Sequence, residues 1–291
     1  MEECDEKCDT CSTVGECTDP KKEAILQEKA VSDRMSKIKY KIMVMSGKGG
    51  VGKSTVAVNL ALSLVANGLE VGLVDADIHG PNVPKMLGIE DMFPTAAGDG
   101  IILPVIVPPR LKVISMAFLL QNTDAPVIWR GPMKMTAIKQ FLADVEWGDL
   151  DYLIVDLPPG TGDEPLSVAQ LIPDMDGSII VTTPQEVALL DARKSVNFAR
   201  QLKTPIIGIV ENMSGFTCPK CGERIDLFKV GGGEKSASEM DVPFLGSIPI
   251  DPKIVEDADM GKPFILSSSK ASESFEKIAG KIREFVDERG A

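Results

Sequence analysis

The sequence of 291 residues has a single histidine, His79, and lacks any excess of basic charge. Its formal net charge is −12, which argues against nonspecific binding to nucleic acid or to an anionic membrane, because both interactions need a basic surface. No apolar run approaches the roughly 20 residues of a membrane-spanning helix. The amino terminus is acidic and has no apolar core, unlike a secretory signal. We therefore expect a cytoplasmic protein with neither a nucleic-acid partner nor a membrane partner.

Cysteine is also missing from the long stretch between its two clusters. The cysteines near the start are Cys4, Cys8, Cys11 and Cys17, and those near the end are Cys218 and Cys221. In a compartment that keeps thiols reduced, such clustering favours metal ligands over disulfides. Because the chain has one histidine, a Cys₂His₂ zinc site is excluded.

Short apolar segments alternate with helical segments from Tyr40 onward. Strands are predicted in YKIMVMS, EVGLVDAD, LKVISMA, DYLIVDLPP, GSIIVTTP and PIIGIVENMS, and helices in KSTVAVNLALSLVANG, MKMTAIKQFLADV and EVALLDARKSVNFARQLK. Strands that are apolar on both faces and separated by helices indicate a parallel sheet covered on both sides. Residues 39–291 are therefore predicted to form an α/β domain with a mostly parallel, doubly wound sheet and helices on both faces. Residues 1–38 are predicted to be a separate cysteine-bearing metal-binding segment and linker, with at most one short helix.

The carboxyl-terminal segment SFEKIAGKIREFVDERGA places Phe275, Ile278, Ile282 and Phe285 in one apolar stripe. A membrane-targeting helix and a helix packed on the domain both fit this stripe. The polar face mixes acidic and basic residues, which favours packing on the domain.

The segment GKGGVGKS, which begins at Gly47, fits the phosphate-loop pattern and lies between a predicted strand and a predicted helix. Glycines allow backbone N–H groups to face phosphate oxygens, and the helix amino terminus favours negative charge. Lys53 is expected to pair with the β- and γ-phosphates of ATP, and Ser54 to ligate Mg²⁺. A chance glycine-rich turn is the alternative, which the strand–loop–helix context disfavours. The α/β domain of residues 39–291 is therefore predicted to be a P-loop NTPase. The predicted nucleotide-binding residues of the loop are Gly47, Lys48, Gly49, Gly50, Val51, Gly52, Lys53, Ser54 and Thr55.

Three aspartates follow predicted strands. Asp75 and Asp77 end one strand and Asp156 ends another. The carboxyl ends of parallel strands converge on the ligand crevice, so we expect Asp156 to contact the Mg²⁺ shell and Asp75 and Asp77 to hold metal-bound or attacking water. The alternative for each is a solvated aspartate at a strand end. Lys48, Lys53 and Asp77 are the candidate catalytic residues.

The CPKC segment supplies two thiolates, Cys218 and Cys221, which are half of the ligands of a tetrahedral zinc ion or an iron–sulfur cluster. Two copies facing each other across a twofold axis supply four. A redox dithiol is the competing interpretation, disfavoured because the segment does not open a helix in a thioredoxin-like unit. The four amino-terminal cysteines suffice for a [4Fe–4S] cluster on one chain, but zinc also satisfies the count, and thiolates suit both metals.

Several motifs carry a family resemblance. KGGVGKS resembles the deviant Walker A loop of the MinD/Mrp class of ATPases. Together, DADIHGPNVPKMLG, VIWRGPMK, LDYLIVDLPPGTGDEPLS and CPKCG resemble the Mrp family of nucleotide-binding iron–sulfur cluster carriers. The amino-terminal segment is similar to that of the cytosolic scaffold branch, although the interval between Cys4 and Cys8 is shorter.

The resemblance implies that Lys48 reaches the nucleotide of the neighbouring subunit in a face-to-face homodimer, and a solvent-facing loop lysine is the alternative. It implies a labile [4Fe–4S] cluster held across that dimer by Cys218 and Cys221 and passed to apo iron–sulfur proteins, with slow ATP hydrolysis coupled to loading or transfer. Asn212 resembles the base-reading position of the class, and a buried turn asparagine is the alternative. The rival functions are a MinD/ParA-like positional ATPase, a zinc-stabilised ATPase without cluster transfer and, more distantly, an ATP-driven reductase.

Overall fold

The computed structural model describes residues 20–98, 100–120, 131–172 and 174–290. The helices are α1 (Pro20–Met35), α2 (Lys53–Ala66), α3 (Val83–Leu87), α4 (Gly131–Ala143), α5 (Asp163–Leu171), α6 (Glu186–Gln201), α7 (Gly232–Glu239), α8 (Pro252–Asp259) and α9 (Lys270–Gly290). The strands are β1 (Ile38–Met45), β2 (Val71–Asp75), β3 (Thr95–Ala96), β4 (Ile102–Leu103), β5 (Val105–Val107), β6 (Leu111–Ser115), β7 (Leu150–Asp156), β8 (Gly177–Thr182), β9 (Ile206–Glu211), β10 (Phe216–Thr217), β11 (Arg224–Ile225) and β12 (Phe244–Ser247).

The central sheet of the described residues has the strand order β12-β9-β8-β1-β7-β2-β6-β5. Its neighbouring strands are parallel except for β5, which pairs antiparallel with β6 at one edge. The register aligns Val44 of β1 and Asp75 of β2 with Asp156 of β7. The loops that follow these central strands therefore meet at one edge of the sheet, where open α/β folds bind their ligands.

Helices cover both faces of the sheet. On one face α2 and α9 bury residues such as Leu60, Leu64 and Phe275. On the other face α4 and α6 bury Phe141 and Val196. Complete burial of one such side chain contributes about 1.5–3 kcal/mol, so both helical layers stabilise the sheet. The predicted doubly wound, mostly parallel α/β fold is confirmed.

The carboxyl-terminal helix packs on the domain, as its mixed polar face indicates. Phe275, Ile278 and Ile282 are buried, and Phe285 is half-buried against the same cluster. None of the described helices combines the length and the apolar character that crossing a bilayer requires.

Helix α1 contacts α4 on the second face. Val31 and Met35 are buried in the core there, and the Arg34 guanidinium donates to the carbonyl of Ala143 at 3.2 Å. The division of the chain at residue 38 stays a prediction, but α1, on the amino-terminal side of that boundary, shares the core of the α/β domain. Cys4, Cys8, Cys11 and Cys17 lie outside the described residues.

Candidate nucleotide site and thiolate knuckle

The phosphate loop joins β1 to α2 at the centre of the sheet. Gly50 and Gly52 have φ angles of 79° and 86°, a left-handed conformation that strains any other residue. The loop is also packed closely, because a Cβ atom on Gly52 would lie 2.1 Å from Nδ2 of Asn212 and one on Gly47 would lie 2.2 Å from the carbonyl oxygen of Asp191. Helix α2 then begins at Lys53 without a side-chain cap, which leaves its first amides available to an anion.

Lys53, Ser54, Asp77 and Asp156 come together beside this loop, as predicted. The Lys53 ammonium donates to Oδ1 of Asp156 at 2.7 Å and lies 3.6 Å from Oδ2 of Asp77. The Ser54 hydroxyl donates to Oδ2 of Asp156 at 2.5 Å. A fully buried carboxylate thus holds both the lysine and the hydroxyl of the loop in place.

The electrostatics of this cluster are those of charges removed from water. Burial by itself would lower the pKa of Lys53, but the charges of Asp156 and Asp77 outweigh burial and hold that pKa above its ordinary value. Burial raises the pKa of Asp156, although Lys53 and Ser54 oppose the shift. Since hydroxyl and carboxylate oxygens are the ligands Mg²⁺ prefers, Ser54, Asp77 and Asp156 form a donor set that fits this ion.

Asp75 lies beside this cluster and has partners of its own. It is fully buried and accepts hydrogen bonds from the Ser115 hydroxyl at 2.8 Å and from the N–H groups of Asp77 at 3.2 Å and Val83 at 3.3 Å. Burial, followed by repulsion from Asp156, raises its pKa to about 7. Asp75 therefore supports the loop between β2 and α3, and its predicted contact with bound water stays a prediction.

A cleft of about 270 Å³ opens above the phosphate loop. Its lining residues are Ser46, Gly49, Gly50, Gly52, Lys53, Ser54, Thr55, Asp77, Gly80, Asn82, Met86, Pro159 and Met213. A larger cleft of about 580 Å³ lies at the opposite edge of the sheet, where Asp176 precedes β8 and Thr204 precedes β9. None of the predicted site residues lines that larger cleft, so we place the candidate nucleotide site above the phosphate loop.

Lys48 differs from Lys53 in its position. It is half-buried, it is not among the residues that line the cleft, and its carbonyl accepts the Ser46 hydroxyl at 3.0 Å. Among the described residues, no carboxylate lies within 4.0 Å of its ammonium group. Lys53 therefore lines the nucleotide cleft of its own chain, whereas Lys48 does not.

Asn212 follows β9 and contacts the phosphate loop. Its side-chain amide is buried and donates to the carbonyl of Val51 at 2.9 Å. This contact explains why Gly52 tolerates no side chain. The predicted base-reading role of Asn212 stays a prediction, and the neighbouring Met213 lines the cleft.

Cys218 and Cys221 lie on a knuckle between β10 and β11, which pair antiparallel. The Cys218 N–H donates to the carbonyl of Glu223, and the Gly222 N–H donates to the carbonyl of Cys218, both at 2.9 Å. Hydrogen bonds from the backbone N–H groups of Cys221 and Lys220 lower the pKa of the Cys218 thiol, which favours the thiolate that binds metals. In the described parts of the chain, no third cysteine, histidine or carboxylate joins these two to form a metal-binding group.

Lys134 is a buried cation that the sequence analysis did not single out. Its ammonium donates to Oε1 of Glu164 at 2.5 Å and to Nε2 of His79 at 3.0 Å. Burial alone would raise the pKa of Glu164, but Lys134 holds it below its ordinary value. The contact joins α4 to the start of α5 and to the loop after β2, and that loop borders the cleft. In the sequence, Lys134 is marked only by the RGPMK motif, and this motif does not indicate which residues Lys134 contacts.

The family follows from a sequence model. The model described as "ParA: NUBPL iron-transfer P-loop NTPase" matches residues 37–283. The chain belongs to this family. Curated relatives agree: a protein named iron-sulfur cluster carrier protein from Methanocaldococcus jannaschii is 55% identical over 287 residues, which covers 99% of each chain. A protein of the same name from Saccharolobus solfataricus is 54% identical over 259 residues, covering 88% of this chain and 87% of that one.

Solved structures support the same assignment. A nucleotide-binding protein from Archaeoglobus fulgidus, in complex with ADP and with cobalt, is 40% identical and has a TM-score of 0.73, covering 83% of this chain and 94% of that chain. The septum site-determining protein MinD from Pyrococcus horikoshii, complexed with Mg-ADP, is 23% identical with a TM-score of 0.63, covering 87% and 98%. The second likeness shows the fold alone. The resemblance to nucleotide-binding iron–sulfur cluster carriers is thereby confirmed at the level of the family.

Proposed function

We propose that this P-loop NTPase is an ATP-dependent iron–sulfur cluster carrier of the cytoplasm. Two copies hold one labile [4Fe–4S] cluster through Cys218 and Cys221 of each and deliver it to apo iron–sulfur proteins. The observation that carries the proposal is a knuckle with two free cysteines, one of them exposed, in a chain whose phosphate loop has the residues for nucleotide and Mg²⁺. The names of the relatives point the same way.

The thiolate count supports a shared site. A [4Fe–4S] cluster takes four thiolate ligands, and the knuckle provides two per chain. Apolar side chains that follow the cysteines are exposed to solvent, among them Leu227 at 58% and Ile225 at 41%. An exposed apolar patch beside an incomplete metal site is typical of a surface that a second protein surface covers. A twofold dimer brings two such knuckles together and supplies the missing ligands.

The nucleotide site supports ATP hydrolysis, which we propose to be slow. When bound, Mg²⁺ neutralises phosphate charge as phosphoryl transfer proceeds. Lys53 would move from Asp156 to the β- and γ-phosphates, and its position as the first residue of α2, lining the cleft, supports this role. Ser54 and Asp156 are the residues that would hold the ion, and Asp77 borders the cleft where it can orient the attacking water. Lys48 would serve the nucleotide of the other copy.

The amino-terminal Cys4, Cys8, Cys11 and Cys17 are proposed to hold a second, more tightly bound cluster. Zinc is the alternative occupant of both thiolate sites, since thiolates bind it equally well. In that case the protein is a zinc-stabilised ATPase without cluster transfer.

Anaerobic purification and reconstitution test the proposal. We expect the absorption spectrum of an iron–sulfur cluster, iron and sulfide in equal amounts, and a dimer by light scattering. A variant in which Cys4, Cys8, Cys11 and Cys17 are all replaced by serine isolates the knuckle and should retain one cluster per two chains. Zinc without sulfide would favour the zinc-stabilised ATPase, and binding to liposomes or DNA would favour a positional ATPase. A strictly monomeric loaded protein with free knuckle thiols would overturn the proposal.

A further inference from the structure

Two adjacent residues at the end of β9 contact the phosphate loop and the segments that flank the thiolate knuckle. Asn212 donates its side-chain amide to the Val51 carbonyl of the phosphate loop at 2.9 Å. Its own N–H donates to the carbonyl of Thr182 at 2.8 Å, which fixes its backbone to β8. Asn212 is therefore a rigid link between the sheet and the loop.

The preceding residue, Glu211, holds the knuckle. It is fully buried and accepts the Ser214 hydroxyl at 2.5 Å and the Gly231 N–H at 3.0 Å, and it also accepts the Gly233 N–H. Ser214 lies just before the knuckle, whereas Gly231 and Gly233 lie just after it. One carboxylate thus ties together both ends of the segment that carries Cys218 and Cys221.

The return from the knuckle is packed without free space. A Cβ atom on Gly233 would lie 2.9 Å from Cβ of Glu211, and one on Gly232 would lie 2.6 Å from Cδ1 of Leu189 and 2.8 Å from the carbonyl oxygen of Pro184. Leu189 belongs to α6, the same helix whose Asp191 backbone presses on Gly47 of the phosphate loop. Close packing therefore connects the phosphate loop to the base of the knuckle in two ways. One runs through Asn212 and Glu211, and the other runs through α6.

We infer that Glu211 and Asn212 are positioning residues that couple the nucleotide site to the thiolate knuckle. Movement of the phosphate loop is transmitted through Asn212 to the end of β9, and from there through Glu211 to the base of the knuckle, where it changes how firmly the two thiolates hold their cluster. The inference rests on the proposed function, since it concerns a cluster at Cys218 and Cys221. Coupling between two sites is reciprocal, so cluster loading should also change nucleotide affinity by the same factor.

Three variants test the coupling, each with the cluster reconstituted at the knuckle. Ser214→Ala removes one donor to Glu211, Glu211→Gln removes its charge, and Asn212→Ala removes the contact with Val51. Glu223→Gln is the matched control, because it makes the same chemical change within the knuckle at an exposed side chain. The measurement is the rate of iron release to a chelator with and without a saturating non-hydrolysable ATP analogue, together with analogue affinity with and without the cluster.

We expect the wild-type protein and Glu223→Gln to show the same change in analogue affinity on cluster loading, within the roughly 5- to 150-fold range usual for coupled sites. The analogue should also change the rate of iron release equally in these two proteins. Both effects should fall to less than about 2-fold in Ser214→Ala, Glu211→Gln and Asn212→Ala, while the knuckle still binds iron. Should Glu211→Gln fail to fold, Ser214→Ala carries the same test with a smaller change.

The outcomes separate the inference from the proposed function. A wild-type protein whose cluster release is indifferent to nucleotide overturns the ATP-gated carrier, and the inference with it. A full nucleotide effect in all three variants overturns the inference alone, as does a loss of the effect in the Glu223→Gln control.

Discussion

Replacing Gly52 with alanine puts a methyl group where Asn212 already lies. The new Cβ would be 2.1 Å from Nδ2 of Asn212, a separation that no real contact allows, and the residue has a φ angle of 86°. Two costs therefore combine. The left-handed backbone conformation costs an ordinary L-residue about 1–2 kcal/mol, and displacing the Asn212 amide breaks its bond to Val51 and leaves buried polar groups unpaired, at about 1–3 kcal/mol.

Two neighbouring glycines in the same loop separate these costs. Gly50→Ala meets nothing within 4 Å but has a φ angle of 79°, so it should show the backbone cost alone. Gly49→Ala meets nothing and needs no left-handed backbone, so its stability should be close to that of the wild type. The free energy of unfolding is expected to fall by about 3 kcal/mol for Gly52→Ala and about 1 kcal/mol for Gly50→Ala.

Urea denaturation of the nucleotide-free protein, followed by circular dichroism, measures these differences directly. For a domain of this size each kcal/mol corresponds to about 2–4 °C in Tm, so thermal melts give a second reading. Equal stability of Gly52→Ala and Gly50→Ala would refute the argument from the Asn212 contact. A loss in Gly49→Ala as large as that in Gly52→Ala would refute the distinction between the three glycines.

Three further perturbations test other parts of the site. Lys53→Ala should abolish ATP binding, because it removes the cation of the cleft, and a nucleotide titration with undiminished affinity would contradict this. Cys218→Ala or Cys221→Ala should lose knuckle iron while nucleotide binding is retained, and iron that persists in the variant lacking the amino-terminal cysteines would reject the ligand assignment. The folded pKa of Asp75, about 7, lies above its ordinary value of 3.8, so the folded state binds the extra proton and stability should fall as pH rises from about 4 to 7 in magnesium-free buffer. Asp75→Asn should flatten that decline, as urea denaturation across the pH range can show.

The elements around the phosphate loop could be predicted because their signals are local or follow from topology. A buried strand, a glycine-rich loop and a long apolar helix are contiguous in the sequence, which fixes the position of Lys53 and Ser54. Asp156 comes from a segment about a hundred residues away along the chain, yet the rule that parallel strands end at one edge of the sheet brought it to the same place. The register of β1 and β2 with β7 then places Val44 and Asp75 beside it.

The contacts of Lys134 and Glu211 could not be predicted in this way. His79 and Glu164 are 55 and 30 residues from Lys134 in the sequence. The three residues lie on three different segments of the chain, and no sequence periodicity relates them. Glu211 binds amides 20 and 22 residues further along the chain, and that pairing depends on how the knuckle returns to the sheet. Both side chains are charged and buried, a combination that only the fold can reveal.

Two incomplete features of one chain support the proposed homodimer from different directions. The knuckle offers two thiolates where a cluster needs four, and the phosphate loop carries a second lysine, Lys48, that does not line its own cleft. In a monomer the knuckle lacks two of the four cluster ligands and Lys48 does not line the nucleotide cleft. One face-to-face pairing would supply the missing ligands and would give Lys48 a phosphate to approach. Because both features would depend on the same pairing, a nucleotide that altered the proposed pairing would act on the cluster as well. Glu211 and Asn212 would then add a path within each chain to the path across the interface.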